Sequence, residues 1–286
     1  MRRMTTTRPD ASPEHDAERP DVPTAPTAGV PSSDVPTSQQ VADLDRAADE
    51  AVRRADSVEL LGLVAHLEQI AFVRLAGDSA IAPTIEQRLA LSRFAAAAVE
   101  RRDRVLGRIV ELGGDPEAAL AQFDDVLVDF DARTQPSTWW ERLLKAYVGY
   151  GVADDFCRLA ADGLDEDSRT LVLDVLDDAS HADLAVTALD AAGSDDGVLS
   201  SRLALWGRRL VGEALGVVQG LMTQRPALAR LVATSDRGGR GSASNRATDA
   251  PVEVATTGAG ANPPAKVFGE LTAQHTRRMS RLGLTP

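Results

Sequence analysis

Aromatic residues make up only 4% of the 286-residue chain, and that scarcity removes much of what β-sheets are built from. There is one cysteine, Cys157, so no internal disulfide can form, and the chain fits a reducing compartment. No apolar run approaches the roughly 20 residues that span a bilayer. The basic opening Met1-Arg2-Arg3-Met4 is not followed by the apolar stretch of a secretory signal. The expected location is therefore cytoplasmic, with no membrane partner. Positive charge is also short. Lys and Arg total 31 against 43 Asp and Glu, for a net charge of −12 and a pI near 4.8. That balance argues against long-range attraction to nucleic-acid phosphate.

Ala and Leu dominate the 43% of residues that are hydrophobic, and both are strong helix formers. Two stretches lack the apolar content to fold. Residues 1–38 are rich in Pro, Thr, Ser and Asp and read as a disordered tail. Residues 236–262, with Gly238-Gly239 and Gly258-Ala259-Gly260, read as a disordered Gly/Ser-rich insert. Between them the pattern predicts an all-α antiparallel bundle over 39–235, and 263–286 supply a further helix packing on it. The individual helices are expected at 40–55, 57–79, Pro83 to Leu112, 117–132, Ser137 or Thr138 to Ala161, and Asp165 or Asp167 to Ala192. A helix over 198–233 divides at Pro226, and another spans 264–282.

In such a bundle the informative residues are ionisable groups on apolar stripes, because a buried carboxylate needs a counter-charge or a task. Glu68 shares a face with Leu61, Val64, Ala71 and Leu75. Asp155 lies on the Leu144, Val148, Gly151, Leu159 stripe, and Asp178 and His181 are three apart beside Leu171, Val175 and Ala185. A Glu from each of two helices plus a Glu-x-x-His from each of two others is the carboxylate di-iron pattern, and Asp178-x-x-His181 is a shorter-armed version of one pair. The bland alternative is a solvated acidic face. His66 and His275 are expected near surfaces. Trp139-Trp140 is expected to pack at a bundle end, Cys157 to be a small core residue, and Glu213 to form a salt bridge with Arg208, Arg209 or an arginine of another helix.

Several segments resemble a family of actinobacterial ferritin-like proteins related to the tRNA hydroxylase that acts on methylthio-isopentenyl-adenosine. They are Leu60-Leu61-Gly62-Leu63 through Glu68, Leu112-Gly113-Gly114-Asp115-Pro116-Glu117, Lys145-Ala146-Tyr147-Val148-Gly149 and Ala153-Asp154-Asp155-Phe156. Ser180-His181-Ala182, Leu205 through Leu215, and His275-Thr276-Arg277-Arg278-Met279 complete the set. The resemblance implies a ferritin-like bundle with a di-iron centre held by Glu68, Asp155, Asp178 and His181, and oxygen-dependent hydroxylation.

The second helix departs from that pattern. Where a Glu-x-x-His is due it places Ala98 and Arg101, and neither side chain can ligate a metal. Arg101 is the candidate cation in place of metal, paired with Glu68 and Asp178. The favoured expectation is a ferritin-like protein with a degenerate di-iron site and no cofactor, acting as a scaffold for an unidentified protein partner. The alternative is a non-haem iron oxidoreductase, with iron as cofactor and tRNA as substrate by resemblance alone. A weaker alternative is an RNA patch of Arg208, Arg209, Arg277, Arg278 and Arg281. A homo-oligomer is compatible with either main reading.

Overall fold

A computed structural model describes residues 37–177, 180–243 and 263–286, with the side chains of 180–181, 235–243 and 263–264 outside that description. All but the last two residues of the tail expected at 1–38, and most of the insert expected at 236–262, therefore lie outside it; Ser38 instead opens the first helix. The chain divides into two units, Met1–Asp43 and Leu44–Pro286, and every site residue belongs to the second.

Among the described residues no strand occurs. The longest helix, α1 (Ser38–Ile81), merges the two helices expected at 40–55 and 57–79. No Gly or Pro interrupts residues 51–61, and the Ser57 hydroxyl donates back to the Arg53 carbonyl at 3.0 Å instead of capping a new start. From Leu60 to Leu67 α1 is buried on every side. An 18-residue window of α1 is apolar enough to cross a membrane by length and composition, with mean hydropathy 1.4, but 56% of that window is buried inside the protein.

Thr84 caps α2 (Ile85–Glu111), its hydroxyl accepting from the Gln87 amide at 3.2 Å. The two helices run antiparallel: Leu75 packs with Leu91 and Ala95, while Glu68 lies opposite Arg101. Gly113, at φ +78°, takes the left-handed conformation that ends α2. Asp115 then accepts from the Glu117 and Ala118 amides, and Pro116 opens α3 (Pro116–Ala121). A Cβ on Gly62 would fall 2.3 Å from the Ala119 carbonyl oxygen, so α3 rests directly on the backbone of α1. The helix expected over 117–132 is two pieces, α3 and α4 (Val128–Arg133). Tight turns between them drive Phe123 and Leu127 into the core.

The Thr138–Glu141 capping box starts α5 (Trp139–Leu144). It continues through a π-helical segment, Lys145–Gly149, into α6 (Tyr150–Ala161). Asp165 caps α7 (Glu166–Leu176), which is followed by α8 (Ser180–Asp195) where one helix was expected. Asp196 caps α9 (Gly197–Gln224), and Pro226 starts α10 (Pro226–Ala243), which runs past the boundary expected at 236. The last helix is α11 (Pro263–Arg281). The α6 helix is central, packing against α7, α9, α10 and α11.

Candidate functional site

Four carboxylates are buried among the described residues: Asp56, Glu68, Asp78 and Asp155. Glu68 and Asp155 lie on apolar helical stripes, and each of the four meets an arginine from a distant helix. Arg101 of α2 donates Nε–H to Glu68 Oε2 at 3.0 Å, with Nη2 at 2.9 Å from the same oxygen. Arg230 of α10 donates Nε–H to Asp56 at 2.9 Å, and Arg142 of α5 donates Nη1–H to Asp78 at 2.8 Å. Arg278 of α11 grips Asp155 with both terminal nitrogens, Nη2 to Oδ1 at 2.8 Å. Arg158 stands 3.7 Å from the same carboxylate. These contacts, bidentate at Asp56 and Asp155, supply the counter-charge that burial of a carboxylate demands.

Glu68 and Asp155 both act through their charge on the fully buried Cys157 thiol. Burial raises that thiol's pKa, with Asp154, Asp155 and Glu68 acting the same way against Arg158. The thiol stays protonated, and Cys157 is a core residue. Ala98, one turn before Arg101, is completely buried. Asp178 lies outside the described residues. His181 belongs to α8, but its side chain lies outside the description, so its place relative to Glu68 and Asp155 is not part of this geometry. Among the described residues no three His, Cys, Asp or Glu side chains form a metal-sized group. The two described carboxylates of the expected ligand set already carry guanidinium partners. With Ala98 and Arg101 at the second-helix positions, the described donors do not fit a di-iron centre.

Several side chains sit elsewhere than the sequence suggests. His66 and His275 are buried, not near surfaces. His66 falls where α1 is enclosed on all sides, and His275 lies on the Leu271, Arg278, Leu282 stripe of α11 that faces the core. Burial lowers the pKa of both. Glu213, by contrast, meets an arginine of another helix, one of its expected partners: it is half-buried and faces Arg133 of α4 at 3.4 Å, while Arg208 and Arg209 bind the carbonyls of Thr285, Pro286 and Arg133. The arginines expected as an RNA patch are therefore divided: Arg278 is buried on Asp155, and Arg277 and Arg281 pair with Glu270 and Asp183.

Sequence reasoning missed Asp56, Asp78, Asp154 and the role of Arg278. A signal existed for Arg278, which continues the apolar series Leu271, His275, Leu282. Asp154 is half-buried beside Asp155; burial raises its carboxyl pKa, and Arg278 and Arg158 oppose the rise.

The profile of a family described as the ferritin-like domain of actinomycetes matches residues 51–235. The chain belongs to this family. No curated protein matches it. The ferritin-like span runs from α1 into α10, so Arg278, which closes on Asp155, comes from a helix beyond the matched domain.

Proposed function

We propose that this ferritin-like protein carries a degenerate di-iron site in which guanidinium groups take the place of metal, and that it serves as a non-catalytic scaffold or interaction protein. The observation that carries the reading is the Arg101–Glu68 pair beside Ala98. A ligand position and its metal-binding neighbour have become a cation and a methyl group, and the remaining carboxylate is held by that cation. The same solution recurs at Asp56, Asp78 and Asp155, which supports a structural origin for the interior acids. No cofactor is then needed. The partner is an unidentified protein.

The alternative, an iron-dependent hydroxylase acting on tRNA, rests on the family resemblance and on Asp178 and His181. It requires Glu68 and Asp155 to exchange guanidinium for iron.

Restoring the lost ligands tests the choice. The double variant Ala98→Glu, Arg101→His is expected to take up Fe(II) under anaerobic conditions where the wild type does not. Wild-type uptake equal to that of the variant overturns the proposal.

A further inference from the structure

A cavity of about 440 Å³ opens between the π segment, α6, the end of α7, α8 and α11, a volume within the roughly 300–1,000 Å³ of small-molecule sites. Two polar groups on its wall are unanswered among the described residues. Tyr147, only 5% exposed, leaves its hydroxyl without a hydrogen-bond partner. Asp154 lines the same cavity and makes no hydrogen bond or ion pair with a described residue. An unanswered buried hydroxyl such as that of Tyr147 costs about 1–3 kcal/mol, so one that persists points to a partner supplied from elsewhere; Asp154 is half-buried and feels the charges of Arg278 and Arg158 without a direct bond to either. The π segment contributes to this wall, and such segments are frequent at functional sites.

The mouth has the opposite character. Arg277 and Arg281 line it with side chains 61% and 59% exposed, in loose pairs with Glu270 at 3.3 Å and Asp183 at 3.7 Å. Exposed pairs of this kind are worth about 0–1 kcal/mol, so either guanidinium can turn to another anion at little cost. The Asp155–Arg278 pair forms a closed part of the wall. A Cβ on Gly151 would fall 2.7 Å from Arg278 Nε, so the glycine lets that guanidinium lie flat there.

We propose that this cavity binds a small zwitterion of the amino-acid type, its ammonium donating to Asp154 and the Tyr147 hydroxyl oxygen and its carboxylate accepting from Arg277 and Arg281. A simple cation would answer Asp154 but would face the arginines. A simple anion would answer the arginines but leave Asp154 unpaired at its side. A zwitterion answers both ends. The inference is independent of the metal question, because the Asp155–Arg278 pair stays intact in it.

Calorimetric titration of the full chain with L-alanine, L-glutamine, L-methionine and L-tyrosine tests it, with propionate and ethylamine as single-charge controls. At least one amino acid is expected to bind while both controls fail. Asp154→Asn and Tyr147→Phe should each weaken that binding about tenfold or more, as loss of a charge-assisted or buried hydrogen bond does. Circular dichroism checks that each variant folds, and Arg281→Gln at the exposed mouth provides a further variant with little risk to the core. No binding of any of the four up to about 10 mM, binding of a control as tight as the amino acid, or folded variants that bind like wild type would each overturn the proposal.

Discussion

Arg101 and Glu68 are each about 10% exposed at the side chain, so removing one takes away a counter-charge that the other holds inside the protein. Arg101→Met is expected to lower unfolding stability by about 3–5 kcal/mol, whereas replacing both partners, with Glu68→Leu added, should recover most of the loss. Urea denaturation of the three proteins measures this, and a loss below about 1 kcal/mol for the single variant would mean that Arg101 is not the group that compensates Glu68. His275 offers a test by pH. Burial, then the charge of Arg278, lowers its folded-state pKa, so the unfolded chain binds the extra proton first as pH falls. The histidine's contribution is complete above its unfolded pKa of about 6.5 and declines below it towards the folded pKa. His275→Leu should therefore flatten the fall in the urea midpoint between about pH 7 and 5; an unchanged slope would contradict the burial. Glu68 and Asp155 were legible because each interrupts an apolar stripe. Their partners were not, since Arg278 lies 123 residues from Asp155 and helical periodicity carries no information about which stripe faces which.

Helix interiors divide the glycines into two kinds. Gly62 meets the α3 backbone, where an added methyl has nowhere to go, while Gly212 of α9 faces open space. Gly62→Ala should destabilise by about 1–3 kcal/mol through overpacking, and Gly212→Ala should stabilise by roughly 0.5–1 kcal/mol through helix propensity. Thermal denaturation distinguishes them, and equal effects of one sign would place α3 away from α1. At this scale the sequence was partly informative about caps: Thr138 and Asp165 were each one of two expected starts, whereas Thr84 and Asp196 were not singled out. Thr84, Asp115, Thr138, Asp165 and Asp196 each start a helix through side-chain acceptance of backbone amides. The π segment was not visible, because one extra residue per turn needs no Gly or Pro to mark it. Leu143 to Gly149, which span it, are all buried. The unity of α1 was hidden for the converse reason: exposed, polar residues before Asp56 suggested a boundary that no breaker enforces.

All but two of the 31 basic residues are arginine, the exceptions being Lys145 and Lys266. A chain of net charge −12 thus draws nearly all its positive charge from the side chain best suited to bidentate, partly desolvated pairing with carboxylates. Membership of the ferritin-like family accounts for the bundle, but activity does not follow from fold. Composition favoured helices from the start; the pairing of interior acids with arginines is a property of how α1, α2, α6 and α11 meet. The central claim, that arginine and not iron neutralises those acids, is tested most directly by the iron content of wild-type protein after anaerobic reconstitution with Fe(II) and desalting. The account predicts well below one iron per chain, and one or two tightly held irons per chain would contradict it.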